Sequence, residues 1–355
     1  MARPGFLLAR AVVLALALLG SAPFLPAAGA APVHVALVPI HAGEYADALL
    51  AGAQKAAKDL AGTGGEAPTV EVFLPATADV AGQTQAILKG ASAGCAGMIL
   101  SPVGGARSPN FLGRIEEAFR SGCTGIVVDA PFSSPYIAGL VGTGFYQSGQ
   151  EAGAFLAKRI GGDGGVLIVG DPKASLGVSQ FEKGMIEGLR LYPNALAITS
   201  GDLAQGIPGV AASEVGPILK RLGGKVAALC VADPEAWPEV ARALKEAAAA
   251  ASNGGNGAKP VVMVYGNRKE TLAALGAGEI DSVIADCPYL IGYHAMKGAV
   301  AGARGKPVAA QRNVATKIIT TDKLADPKIA EFLNPEVSGV GLQEERAARP
   351  ILLDP

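Results

Sequence analysis

From about residue 33 to residue 286 the chain alternates between short aliphatic runs and longer stretches with helical spacing, and this alternation restricts its fold more than any other feature. Residues 33–40 are a continuous apolar run. Residues 44–60 follow with Tyr45, Leu49, Ala53, Ala56 and Leu60 on one helical face and Asp47, Gln54, Lys55 and Lys58 on the other. Strands are predicted at 70–74, 98–101, 126–129 and 137–141, with helices at 79–89, 110–121 and 146–160. The cycle restarts with strands near 166–169, 195–199, 226–231, 261–265 and 282–285. Short strands without polar alternation need cover on both faces, so they belong to parallel sheets with helices above and below. The fold class expected is α/β, with two doubly wound parallel-sheet lobes.

Composition agrees. Half the chain is apolar and 17% is charged, with 48 glycines and only 5% aromatic residues, a mix suited to small-residue helices packed on Val/Ile strands. The first residues read as an export signal. Arg3 and Arg10 precede an apolar run over 11–20, and Ala28-Gly29-Ala30 has the small-x-small pattern of a cleavage site, so residues 1–30 are expected to be removed near Ala30. The first cysteine is Cys95, which argues against a lipid anchor, and no later run has transmembrane length, so the expected location is the periplasm. Without Arg3 and Arg10 there remain 28 basic against 31 acidic residues, and such a chain offers no basic face for nucleic acid.

In open parallel sheets, ligands sit beyond the carboxyl ends of the strands. The residues there are polar: His41 and Tyr45 after the first strand, Ser101 after the third, Asp129 after the fourth, then Asp233, Asn267 and Asp286 in the second half. Each is also a residue type that caps helices or makes turns, and Asp233 with Pro234 behind it fits a cap best.

Several segments carry a family likeness: His34-Val35-Ala36 with Gly52-Ala53-Gln54-Lys55, Gly97-Met98-Ile99 before Ser101-Pro102, and Gly125 to Asp129. Others are Val141-Gly142-Thr143 with Gly149 and Gly153, Lys183-Gly184, Ala232-Asp233, the run Ile284 to Pro288, and Ile291-Gly292-Tyr293. In order and spacing the chain resembles the ribose/galactose-type periplasmic solute-binding proteins of ABC importers. The resemblance implies lobes joined by three hinge crossovers near Thr143, Cys287 and Lys317. The amino-terminal lobe would comprise 31–143 with 288–317, and the carboxyl-terminal lobe 144–287 with 318–355. It also implies a monomer that traps a small polar solute, a sugar or sugar-like compound, and delivers it to an inner-membrane permease without catalysis or cofactor. A sensory receptor feeding a membrane signalling protein is the alternative.

The ligand-binding set implied is Tyr45, Asp129, Phe145, Asp233, Trp237, Asn267 and Asp286, with Asp129 as the hydroxyl acceptor and Tyr45 as a stacking aromatic. Trp237 either forms a platform or anchors the helix that begins there. Compared with the family pattern, Gly144-Phe145 stands in place of Asp-Asn, Phe181 in place of an arginine, Ala232-Asp233 in place of Asn-Asp, Asn267 in place of an aspartate, and Asp286 in place of the hinge glutamine. The pocket expected is therefore more acidic and more aromatic than a usual pyranose site. The segment from Asp233 to Pro238 is in addition similar to autoinducer-2 binding proteins.

Enzyme signatures fail on context. Gly90-Ala91-Ser92-Ala93-Gly94 spells a serine-hydrolase elbow, but a helix precedes it and a strand follows, the reverse of what an elbow needs. Gly142-Thr143-Gly144 is followed by a glycine only at Gly149, too late for a dinucleotide loop, and His34, His41 and His294 lack metal-ligand spacing. Cys95 and Cys123 each lie three residues before strands expected to be parallel neighbours, so a Cys95–Cys123 disulfide contributing about 2–4 kcal/mol is predicted. Cys230 and Cys287 are expected to remain free thiols.

Overall fold

The computed structural model describes residues 32–334 apart from 62–65, 104–108, 121, 131–133, 171–175, 199–209 and 253–258; the expected signal peptide and the chain beyond residue 334 lie outside the described residues. β1 (His34–Val38) is buried from Val35 onward. α1 (Glu44–Ala61) has Glu44 and Asp47 in its first turn and Lys58 in its last, charges that complement the helix dipole, and it buries Leu49, Gly52, Ala53 and Ala56. β2 (Thr69–Val72) leads to α2 (Val80–Ser92), which Asp79 caps by accepting a hydrogen bond from the Gly82 N–H. β3 (Gly97–Leu100), α3 (Pro109–Arg120), β4 (Thr124–Val128) and β5 (Ile137–Thr143) follow, and the chain then leaves this sheet through α4 (Phe145–Arg159).

The second half repeats the pattern with β6 (Asp163–Val169), α5 (Leu176–Leu189), β7 (Asn194–Ile198), α6 (Ala212–Leu222), β8 (Val226–Val231), α7 (Trp237–Ser252), β9 (Val261–Tyr265), α8 (Lys269–Gly276) and β10 (Ser282–Ala285). α9 (Pro288–Ala303) and β11 (Gln311–Val314) return to the first sheet. β12 (Lys317–Thr320) and α10 (Pro327–Leu333) end the described chain, with β12 in the second sheet.

The strand orders are β11-β5-β4-β3-β1-β2 and β12-β10-β9-β8-β6-β7. The first sheet is parallel throughout; in the second, β12 runs antiparallel along β10, with Ser282 opposite Thr320. The chain therefore passes between two doubly wound lobes three times: after β5, after β10 and between β11 and β12. Among the described residues no helix is long and apolar enough to cross a membrane.

Each lobe contains one helix pair in backbone-to-backbone contact. A Cβ on Gly52 of α1 would lie 1.8 Å from the Tyr289 carbonyl oxygen of α9, and one on Gly292 would lie 2.0 Å from that of Leu49. In the second lobe, Gly149 of α4 stands in the same relation to the Phe181 carbonyl of α5, at 2.0 Å, and Gly184 to that of Tyr146, also at 2.0 Å. These glycines let the helices approach to a separation that no side chain permits.

The expected Cys95–Cys123 bridge is absent, and both residues are buried thiols outside any disulfide, as are Cys230 and Cys287. The strand register explains the correction. Gly97 pairs with Thr124 and the Thr124 N–H donates to the Ala96 carbonyl at 2.9 Å, so Cys123 lies beside Ala96, one residue out of step with Cys95. The Cys95 sulfur instead faces Nδ1 of His34 at 3.6 Å. Burial pushes the Cys95 thiol up to about 11, with Glu71 adding to the rise, and pushes Cys123 up to about 12. Thiols held protonated and out of solvent react slowly. We expect native protein to resist a disulfide-exchange reagent at pH 8, and denatured protein to release all four thiols per chain without reductant; a count of two would show that a bridge is present.

Candidate functional site

The first lobe brings Asp129 to the carboxyl end of β4 in an unusual conformation. Its φ of 58° makes it the only non-glycine residue with left-handed backbone among those described. Aspartate tolerates this region better than most residues, yet the conformation persists only when neighbours fix it. Three do so here. The Asp129 N–H donates to the Val141 carbonyl at 3.1 Å, the Thr143 N–H donates to Oδ1 at 2.9 Å, and the Tyr45 hydroxyl donates to Oδ2. Gly142 of β5 passes so close that a Cβ there would lie 2.9 Å from the Asp129 backbone. Thus β4, β5 and the first turn of α1 together aim one carboxylate away from the sheet end.

The second lobe answers with Tyr265, the last residue of β9, and Asp286, the first after β10. The Tyr265 hydroxyl donates to Oδ2 of Asp286 at 3.5 Å, and the Thr143 side chain also hydrogen-bonds Tyr265. Thr143 therefore links the two carboxylates through a chain that crosses the first hinge. Around Tyr265 stand Phe181, edge-on at 5.3 Å between ring centroids, and Phe145, tilted at 6.0 Å. The result is an acidic cluster backed by aromatic rings where the lobes meet, at the strand ends where a doubly wound fold holds ligands.

The electrostatics follow from crowding two acids there. Burial pushes the Asp129 carboxyl up to about 7, with the charge of Asp286 adding to the rise and hydrogen bonds from Thr143 opposing it. Burial pushes Asp286 up to about 6, against its own backbone N–H, the Tyr265 hydroxyl and the charge of Arg268. Tyr265 is raised well above the ordinary phenol range, first by burial and then by Asp286 and Asp129. Between about pH 4 and pH 7 the folded protein keeps protons that the unfolded chain has released, so stability from these groups falls as pH rises through that window. Asp286→Asn should therefore gain thermal stability relative to wild type as pH rises from 4.5 to 7.5, values chosen to bracket that window. A difference in melting temperature that does not vary with pH would reject the assignment.

Of the residues expected at the site, Tyr45, Asp129, Phe145 and Asp286 come together. Asp233 is occupied otherwise, its Oδ1 accepting the Glu235 N–H at 3.0 Å to cap a short 3-10 turn over Pro234–Ala236. Trp237 is 7% exposed and packs in the second lobe's core with Val169, Val231, Val240 and Val264, so of its two readings the helix anchor is correct. Its spacing to Val240, Ala241 and Leu244 was the sequence signal for that role. Asn267 lies half-buried between β9 and α8, two residues beyond Tyr265.

Sequence reasoning missed Tyr265, Thr143 and Gln83. Gln83 is fully buried; its side-chain amide donates to the carbonyls of Pro39 and Ser101, at 3.3 and 2.7 Å, and accepts the Val103 N–H at 2.8 Å. One side chain thereby holds the loops that leave β1 and β3. At the edge of the interlobe space, Lys269 at the start of α8 pairs with Glu44 at the start of α1, at 3.0 Å, joining the lobes across exposed surface.

Comparison with known proteins places this architecture. No curated protein matches the chain. Among solved structures, GanP, a glucose-galactose binding protein from Geobacillus stearothermophilus, is 22% identical, covers 83% of this chain and 99% of its own, and superposes with a TM-score of 0.66. AraP, an arabinose binding protein from the same organism, is 18% identical over 85% of this chain and 99% of its own, with a TM-score of 0.70. An ABC transporter solute binding protein from Burkholderia graminis in complex with D-arabinose is 23% identical over 83% and 97%, with a TM-score of 0.64. These likenesses establish the shared fold. The model of the periplasmic binding protein domain family matches residues 35–307, which runs from β1 through α9 and takes in the first two crossovers, and the chain belongs to that family.

Proposed function

We propose that the protein captures a small sugar or sugar-like solute between its lobes in the periplasm and, as a monomer, hands it to the permease of an ABC importer without chemical turnover. The observation that carries this reading is the convergence of Asp129, Tyr45, Phe145, Tyr265 and Asp286 on one interlobe space. A carboxylate fixed by Thr143 and Tyr45 retains lone pairs for vicinal hydroxyls, and charge-assisted bonds of that kind strengthen when closure excludes water. The half-buried ring of Phe145, backed by the buried rings of Tyr265 and Phe181, suits the apolar face of a sugar ring. The sugars named for the related binding proteins make pentoses and hexoses the first compounds to try.

The test is calorimetric titration of purified protein with pentoses, hexoses and their amino and imino derivatives, with small-angle scattering recorded at saturation. Binding of one of these compounds with a smaller radius of gyration is expected. Failure of every sugar and sugar analogue to bind would reject the solute class, and binding accompanied by product formation would reject the absence of turnover.

A further inference from the structure

We propose that the cleft prefers a solute carrying a protonated amino group, such as an amino or imino sugar, over its neutral hydroxyl counterpart, and that Asp286 sets this preference. The inference rests on the reading of the interlobe space as the solute site and adds the charge of the solute to it.

The argument is one of charge matching inside a defined pocket. Asp129 enters from the first lobe and Asp286 from the second, and the charge of Asp286 is felt at Asp129. The groups in contact with them are the Tyr45 hydroxyl from α1, Thr143 from β5 and the Tyr265 hydroxyl from β9, and behind Tyr265 stand the rings of Phe145 from α4 and Phe181 from α5. All of these are neutral at physiological pH. The cation whose charge reaches Asp286 is that of Arg268. Its guanidinium is already matched, because it pairs with Glu235 at 2.7 Å on the surface of its own lobe. Lys269, next in the chain, is likewise paired with Glu44. The cluster thus presents two carboxylates and no unmatched cation among the described residues, and the half-buried Phe145 ring beside Tyr265 adds an aromatic face of the kind that attracts cations.

Closing such a pocket on a neutral sugar removes water from two like charges, and the less costly outcome is uptake of a proton. An ammonium group on the solute removes that need, since it supplies the missing positive charge and donates charge-assisted hydrogen bonds to both acids. The two cases have opposite proton linkage. A neutral sugar binds with proton uptake, so its affinity falls as pH rises through about 6 to 7. A cationic sugar displaces protons from the acids, so its affinity rises through the same window for as long as its amine stays protonated.

The experiment is calorimetric titration at about pH 5.5, 6.5 and 7.5, spanning that window. The pairs are glucosamine against glucose, galactosamine against galactose, mannosamine against mannose, and 1,4-dideoxy-1,4-imino-D-arabinitol against D-arabinose. At least one amine is expected to bind about tenfold or more tightly than its neutral partner at the highest pH, with affinity rising with pH. Asp286→Asn should erase about tenfold of the ratio between amine and neutral partner and flatten the rise of amine affinity with pH. A neutral sugar that binds more tightly than every amine, weakening as pH rises, would overturn the preference and leave the sugar-binding reading standing. Silence across both series would overturn that reading and the preference with it.

Discussion

Gly292→Ala is expected to destabilise the protein by about 3 kcal/mol, the upper range for overpacking a tight core, and to lower its melting temperature by about 6–12 °C. The size of the effect comes from what the new methyl group meets. At Gly292 the nearest atom is the Leu49 carbonyl oxygen at 2.0 Å, and at the reciprocal Gly52 it is the Tyr289 carbonyl oxygen at 1.8 Å. Backbone has no alternative rotamer, so the only relief is to move α9 away from α1. That movement opens a seam through Leu49, Ala53, Ile291 and Ala295, which are fully buried in the first lobe's core. Gly113→Ala in α3 is the control: nothing lies within 4 Å of its Cβ, and replacing an exposed mid-helix glycine should stabilise by about 0.5–1 kcal/mol. Differential scanning calorimetry of the two variants checks both signs, and a Gly292→Ala protein melting within a degree of wild type would reject the contact.

Asp129→Asn carries the second large effect, on binding. Asparagine tolerates left-handed backbone, so the φ of 58° and the course of the chain are preserved. The variant loses the charge that vicinal hydroxyls or an ammonium would use, and one of its two acceptors becomes an amide facing either the Thr143 N–H or the Tyr45 hydroxyl. The expected cost is about 3 kcal/mol, or roughly a hundredfold in Kd for whichever sugar or amino sugar binds wild type best. Asp129→Ala should go further, abolishing detectable binding and also lowering stability by about 1–2 kcal/mol, because alanine resists that φ. Titration of both variants decides the matter, and an Asp129→Asn affinity within threefold of wild type would remove Asp129 from the site.

Much of the fold was legible in the sequence because its strands are buried on both faces and read as unbroken apolar runs. β8, β9 and β10 occupy the residues expected for them, 226–231, 261–265 and 282–285. β11 was not foreseen: Gln311-Arg312-Asn313-Val314 is polar on three of four positions, as an edge strand paired only with β5 is free to be. β12 was hidden for a related reason, being a short antiparallel edge that directly follows a crossover. The site was legible where a polar residue ends an apolar strand, as at Asp129 and Asp286. It was obscured where a member of the candidate cluster looks like the strand itself. Tyr265 reads as the last apolar residue of β9, so attention passed to Asn267 beyond it. Trp237 shows the opposite error, a conspicuous residue whose periodicity assigns it to the core. The Cys95–Cys123 expectation failed on a one-residue register offset between β3 and β4, which strand neighbourhood alone does not fix.

The discontinuity of the first lobe has a consequence during synthesis. α9 and β11 rejoin that lobe only after β6 to β10 have been made, and a ribosome delivers the chain from its amino end. Until residue 303 has emerged, the face of α1 bearing Leu49, Gly52, Ala53 and Ala56 lacks its partner helix and has only the strands to pack on. The second lobe, by contrast, has its five parallel strands in one continuous stretch and waits for its edge strand and the short helix α10. The half of the protein made first is therefore the half completed late, and the nascent chain's demand for chaperone cover falls on its opening 140 or so residues rather than on its later ones. A product truncated before α9 would carry Asp129 without the helix that seats Tyr45's own helix, and would be degraded rather than compete with full-length protein for solute.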